Sequence, residues 1–264
     1  MTGFREPTTL GRTGLLVSRL GVASSYGVPA QAVEKAYHEF GVNYFYWGSL
    51  RRKGMGEAIR HLASNQREKL VIALQSYDRT GLLMPRLAEK GLHTLGIDFA
   101  DVLILGWMRR LPAGRMLDAA LKLKDQGKVR FLAMSSHKRP LFAEAVSEPD
   151  LPIDIYMVRY NAAHRGAEQE VFPHLPSDNR PGITTYTATR WGQLLKARRM
   201  PPGERPMTAS ECYRFALTNP HVDLCITGPK NAREMDEALR TLESPPLSEE
   251  ELERCRRIGD YVHG

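Results

Sequence analysis

The chain has 264 residues, 42% of them hydrophobic and 25% charged; this composition excludes wholesale disorder, and the length suits one domain over residues 1–264, close to the ~250 residues of a single α/β barrel. No run approaches the ~20 apolar residues of a membrane span, the start lacks an apolar signal core, and the widely spaced Cys212, Cys225 and Cys255 form neither a CxxC pair nor a zinc cluster, so a cytoplasmic protein with no metal and no membrane contact is expected. The net charge of +7 comes from scattered residues with clusters at Arg51-Arg52-Lys53, Arg109-Arg110 and Lys196-Arg198-Arg199, which read as a solvated surface or as the rim of a pocket for an anionic small molecule, not as a nucleic-acid stripe.

In chain order, Thr8–Ser18 holds two short apolar runs around Gly-Arg-Thr-Gly, the turn chemistry of a β-hairpin. Arg19–Ala23 reads as a first strand, and Pro29 opens a helix whose Val33, Ala36, Tyr37 and Phe40 share a face. Gly41-Val42-Asn43-Tyr44-Phe45-Tyr46-Trp47 has the residue types of a buried strand, and Gly48-Ser49 releases it into the basic loop Leu50–Gly54. The alternation continues through helix Met55–Leu62, strand Leu70–Gln75, helix Leu82–Leu95, strand Val102–Leu105, helix Ala113–Asp125, strand Gly127–Met134, helix Leu141–Val146 and strand Ile155–Tyr160.

After a polar stretch comes strand Gly182–Thr187, then a long loop with a short helix from Ala188 to Pro206. Thr208 caps a helix to Leu217, Val222–Thr227 is the last strand, and Ser248 with Glu251 forms a capping box before a final helix to Tyr261. So many strand and helix alternations require a parallel sheet, open or closed. No GxGxxG follows the first strand, which together with the repeat count favours a (β/α)8 TIM barrel with an N-terminal β-hairpin and a C-terminal helix. Barrels of this kind place their chemistry where strands end and polar loops begin, which puts Tyr46 and Trp47 at the centre of interest.

Several segments, in the right order over nearly the whole chain, resemble the aldo-keto reductases: Leu10-Gly11-Arg12-Thr13-Gly14-Leu15, Gly41–Phe45, Gly127-Lys128-Val129-Arg130, Val158-Arg159-Tyr160-Asn161, Ile226-Thr227-Gly228 and Leu247–Leu252. The resemblance implies a TIM barrel that holds NADP(H) without a Rossmann motif and reduces carbonyls through Asp, Tyr, Lys and His. None of the four is kept. The family's Asp becomes Tyr46, its Tyr becomes Arg51, its Lys becomes Gln75, and its His becomes Gly106, followed by Trp107. Tyr46 returns a phenol to the mouth, and Arg51, Arg52 or Lys53 would lower its pKa if the loop folds inward; Gln75 carries no charge to do so. Alternatively Tyr46 fills space. Trp47, Tyr77 and Trp107 would line the substrate pocket.

For the cofactor, the resemblance implies Ser135 and Ser136 in place of a Ser-Asn pair on the nicotinamide carboxamide, and Arg159, a donor only, in place of a Gln. Arg190 becomes a diphosphate ligand. Gly228, Lys230, Asn231 and Arg233 would meet the 2′-phosphate end at a helix start, although Glu234 and Ala238 replace two family contacts. Two functions stay open at this stage: an NADP(H)-dependent oxidoreductase acting on a carbonyl or activated double bond of a small molecule, and a redox-inactive barrel that serves as a ligand-binding protein or non-redox enzyme.

Overall fold

Residues 3–48 and 50–263 are described by a computed structural model of the chain; Ser49, expected in the turn after the second barrel strand, lies outside them, as do the first two residues and the last. The apolar runs of the first residues pair as β1 (Thr8–Thr9) and β2 (Leu16–Val17), antiparallel, with Gly14 at φ 69° completing the turn between them. Eight parallel strands then close into a barrel: β3 (Leu20–Ala23), β4 (Tyr44–Trp47), β5 (Val71–Ser76), β6 (Ala100–Leu105), β7 (Val129–Ser136), β8 (Ile155–Arg159), β9 (Gly182–Tyr186) and β10 (Leu224–Thr227), with β10 pairing β3. The expected TIM barrel is the observed fold.

The hairpin closes the N-terminal end of that barrel. Leu10, Leu15 and Val17 join the interior cluster of Tyr44, Tyr46, Val71, Ala73, Val102, Ile104, Ala133, Ile155, Met157, Leu224 and Ile226. Three aspartates fix the strand starts by accepting backbone N–H bonds from a neighbouring strand: Asp101 from Ile72 at 2.9 Å, Asp154 from Leu132 at 3.0 Å and Asp223 from Ile183 at 2.8 Å. Each also has a cation partner, among them Arg67 and Arg130 on Asp101 and Arg180 on Asp223. A buried carboxylate is tolerable only when so paired, and the pairing locks strand register far from the mouth.

The helices are α1 (Ala30–Phe40), α2 (Lys53–Gln66), α3 (Met84–Leu95), α4 (Gly114–Asp125), α5 (Pro140–Val146), the short α6 (Ala167–Glu170), α7 (Ala209–Thr218), α8 (Ala232–Glu243) and α9 (Glu249–His263). Thr208 caps α7 through Glu211 in a full capping box. Ser248 Oγ accepts from the Glu251 N–H at 3.2 Å while the Glu251 carboxylate accepts from the Ser248 N–H at 2.8 Å, so the last helix starts where its sequence signal places it. Two expectations change in detail. Lys53 belongs to α2 and not to a loop, and the long segment after β9 contains two 3-10 turns, Gln193–Leu195 and Ala197–Arg199, and no α-helix.

Candidate active site at the barrel mouth

Side chains alternate along a strand, so the interior cluster decides which residues reach the C-terminal mouth. With Tyr44, Ala73, Ile104, Ala133, Met157 and Ile226 facing inward, the next inward positions are Tyr46, Gln75, Gly106, Ser135, Arg159 and Gly228. Phe45 and Trp47 face the helices instead.

Tyr46 Oη donates to Gln75 Oε1 at 2.8 Å, and Gln75 Nε2 donates to the carbonyls of Ser76 at 3.2 Å and Ile104 at 3.3 Å. The amide therefore reaches the end of β6, and a Cβ on Gly106 would stand 1.8 Å from Gln75 Nε2 and 2.8 Å from the Tyr77 ring. Only glycine fits beneath it. Gly48 is constrained in the same manner, since its Cβ would meet the Tyr46 ring at 3.0 Å. Burial, followed by the neighbouring phenol of Tyr77, pushes the Tyr46 hydroxyl well above the ordinary tyrosine range.

Two expectations fail at this point. Burial and neighbouring phenols, not a cation, are the leading influences on Tyr46 among the described residues: Arg51 is exposed and backs onto Gly27, and the Arg52 guanidinium lies over the Trp47 ring, 4.1 Å from its centroid. Nor does Trp47 wall a pocket. Strand alternation turns it outward, where its Nε1 donates to the Arg52 carbonyl at 3.2 Å and its ring packs on Gly56 and Gly91 of α2 and α3.

Trp107 does stand at the rim, 57% exposed, and its ring centroid is 5.1 Å from that of Tyr77. The rim continues through His137, 6.4 Å from Trp107, to Tyr186, 6.1 Å from His137. Trp107 has φ 52°, a conformation costly for a bulky residue, and its backbone is held there by neighbours. Ser135 Oγ accepts from the Trp107 N–H at 3.0 Å, the Ser135 carbonyl accepts from the Met108 N–H at 2.7 Å, and Arg79 donates to the Trp107 carbonyl at 2.7 Å.

Ser135 thereby keeps its hydroxyl proton for another acceptor. Ser136 does not: it faces outward, donates to the Met108 carbonyl at 2.8 Å and accepts from the Lys138 N–H at 2.9 Å, so the expectation of two hydroxyls at the cofactor is reduced to one.

Across the mouth, Arg159 and Tyr186 are register partners on β8 and β9. Arg159 Nε and Tyr186 Oη are both sealed from solvent and lack any hydrogen-bond partner among the described residues. The Arg159 charge reaches three neighbours. It opposes the rise of the Tyr186 hydroxyl, which burial lifts to about 12, and it adds to burial in lowering His137 and in lowering His164 to about 4. Tyr186, His137 and His164 were not singled out by sequence reasoning. The period of two along Gly182, Thr184 and Tyr186 was the available signal for the first.

The residues expected at the phosphate end are less committed. Arg190 is not free for a diphosphate, because its guanidinium donates to the carbonyls of Val262 and His263 and so binds the β9 loop to the end of α9. Gly228 lies under the Tyr26 ring, which a Cβ would meet at 2.9 Å. Asn231 caps α8 by accepting from the Glu234 N–H at 2.9 Å, Lys230 pairs with Glu234 at 2.8 Å, and Arg233 is exposed. The Lys230 pair is open to solvent, and such exposed i,i+4 pairs contribute only ~0.3–0.5 kcal/mol. Among the described residues, no group of three or more His, Cys, Asp or Glu is placed to hold a metal ion, and no helix is long and apolar enough to cross a membrane.

Residues 30–211, more than half of the chain, match the model of the Aldo/keto reductase family. Among solved structures, the aldo-keto reductase AKR11C1 from Bacillus halodurans is similar in its apo form, at TM-score 0.78 and 19% identity over 96% of this chain and 95% of that one. Its holo form is similar at TM-score 0.76 and 18% identity, over 96% of each chain. At that identity the likeness is one of fold. No curated protein matches the chain.

Proposed function

The chain belongs to the aldo/keto reductase family, and we propose from that premise that it is a cytoplasmic oxidoreductase of this type, using NADP(H) to reduce a carbonyl or an activated double bond of a small molecule. The observation that carries the reading is the inward-facing Tyr46 phenol at the end of β4, in a mouth where Ser135 still has a proton to give. The residues suit a nicotinamide dinucleotide at both ends: the Ser135 hydroxyl could serve the carboxamide, and Lys230, Arg233 and the capped start of α8 could hold a 2′-phosphate. When bound, that group supplies hydride.

The chain's own part begins with the Tyr46 proton. In the resting site it points to Gln75 Oε1; a substrate oxygen entering the mouth takes that bond over, while the two bonds from Gln75 Nε2 keep the amide in place. Burial beside neighbouring phenols makes the tyrosinate costly, so Tyr46 polarises an oxygen by hydrogen bonding more readily than it surrenders its proton. This demand is lightest when developing charge is spread by conjugation. An α,β-unsaturated carbonyl is therefore the favoured substrate, and the family's tetrad is not required.

A second reading, a redox-inactive binding barrel or non-redox enzyme, is favoured by the closed Tyr46–Gln75 pair, which leaves both groups satisfied without a ligand. Fluorescence titration with NADPH and with NADH separates the two. NADPH binding, followed by its oxidation in the presence of cinnamaldehyde, is the expected result. Failure of both nucleotides to bind overturns the first reading.

A further inference from the structure

The two halves of the barrel mouth treat their polar groups differently, and the unpaired half defines a ligand. Arg159 is a permanent cation whose Nε is cut off from water and unpartnered. Its neighbours in sequence and space are paired, Arg139 with Glu170 at 2.7 Å and Arg165 with Asp260 at 2.7 Å; Arg159 has no carboxylate partner among the described residues. Arg159 as a whole is half-buried, but a cation at the mouth with one donor shut off from water and no carboxylate beside it favours an incoming anion. The neutral carboxamide of a dinucleotide does not discharge that cation.

The adjacent orphan is of the same kind. Tyr186 Oη, on the strand position opposite Arg159, has an O–H to donate and no acceptor. A planar fork beside a phenol matches a carboxylate, which accepts two parallel N–H bonds and has a lone pair left for the O–H. Beside them runs the rim of Tyr77, Trp107 and His137, rings in edge and tilted contact at 5.1 and 6.4 Å. Trp107 is held at φ 52° with its face exposed, and flat, rigid surface of this kind favours an aromatic body. A surface cleft of about 430 Å³ on the outer side of His137, lined by Arg109, Lys138 and Arg139 against Glu144 and Glu170, adds positive charge beside the rim without including Arg159 or Tyr186.

We propose that the mouth binds a small aromatic carboxylate, its anionic end on the Arg159 guanidinium and the Tyr186 hydroxyl and its ring against Tyr77, Trp107 and His137. This adds a carboxylate to the aromatic, α,β-unsaturated substrate of the proposed reductase, of which cinnamaldehyde is the uncharged core, and rests on the reading of the mouth as its substrate site, but not on hydride transfer. The rim of rings beside the guanidinium favours the carboxylate of an aromatic ligand over a free phosphate, which has no flat body to lay against it.

The test uses the whole protein without nucleotide at pH 7, titrated with benzoate, acetate and inorganic phosphate, and read by tryptophan fluorescence and by melting temperature. Benzoate should bind more tightly than acetate and phosphate and raise the melting temperature saturably. Arg159→Gln should weaken benzoate by roughly 10- to 100-fold, the range for losing a charged hydrogen-bonded partner, and Tyr186→Phe by roughly threefold to tenfold. Without ligand, Arg159→Gln should melt no lower than wild type, since no protein group loses a partner. Absence of benzoate binding to wild type, equal binding by Arg159→Gln, or tighter binding of phosphate overturns the assignment. So does a ligand-free Arg159→Gln that melts well below wild type, because Arg159 would then be a packing residue. A parallel NADPH titration keeps the failures apart: benzoate without NADPH sinks only the redox reading, and NADPH without benzoate sinks only this one.

Discussion

The barrel mouth has a closed side and an open side. On β4, β5 and β6 the Tyr46 hydroxyl and both ends of the Gln75 amide are hydrogen-bonded within the protein, and Gly106 supplies the space they need. On β8 and β9 the guanidinium of Arg159 and the hydroxyl of Tyr186 have buried atoms with no partner. Folding pairs most such atoms, so a closed polar group is explained by stability alone, whereas an open one at the mouth is where a ligand can supply the missing partner. Tyr44 Oη in the barrel interior and Arg67 Nε beside Asp101 are also unpaired but do not face the mouth. The family's acid, base and cation belong to the side that has closed. Ligand chemistry in this chain is concentrated on the other.

The comparison breaks most sharply at Tyr46. If the closed side still does chemistry, Tyr46→Phe lowers turnover of NADPH with cinnamaldehyde by roughly 10²-fold, while stability falls by about 1 kcal/mol for the acceptor left on Gln75. Turnover per folded molecule that stays intact, with a lower melting temperature, makes Tyr46 a packing residue and the closed side inert. Next in size is Gly106. Gly106→Ala should cost about 1–3 kcal/mol in denaturant unfolding, because backbone and amide cannot both stay where they are. In a double-mutant cycle with Gln75→Ala most of that cost should vanish; additive losses mean the two positions are not coupled.

The barrel, its hairpin and its final helix were legible because each rests on local signals: period-two apolar strands, Thr208 and Ser248 as caps, and a Gly-rich turn between Thr9 and Leu16. Strand ends were legible as well, which is why Tyr46, Gln75 and Trp107 were found at the mouth. The direction of each side chain is a separate matter. Trp47 follows Tyr46 by one residue and so must face the opposite way, yet its bulk invited a pocket role. The fates of Arg190 and Arg51 were beyond local reading, since the first depends on where α9 ends, 72 residues later, and the second on a loop packing against Gly27. Sequence also has no means of showing that an arginine lacks a partner. Arg159 became informative only when the carboxylates around it were seen to be engaged elsewhere.

A smaller effect tests the rim that joins the two sides. Trp107 pays for a left-handed backbone with a side chain that buries little. Trp107→Gly should raise unfolding free energy by up to about 1 kcal/mol, since glycine adopts this conformation freely, and should weaken benzoate at the same time. A loss of stability instead would mean that the indole is a structural anchor.

The most local effect is the titration of His164. Burial comes first and the Arg159 charge second in holding its imidazole at about 4, against an ordinary value of 6.5; His263, Arg190 and Arg139 add smaller pushes. Well above pH 6.5 the ring is neutral whether the chain is folded or not. Between 6.5 and about 4 the unfolded chain binds a proton that the folded chain refuses, so stability falls as pH drops through this window and the slope ends below it. His164→Gln should therefore lose less melting temperature than wild type between neutral pH and pH 4. The same imidazole reports on its neighbour: followed by NMR, its pKa should rise toward the ordinary value in Arg159→Gln, and should rise in wild type when benzoate neutralises the guanidinium. An imidazole that ignores both changes lies out of reach of Arg159, and the open side of the mouth would then lack the unbalanced charge on which the carboxylate site depends.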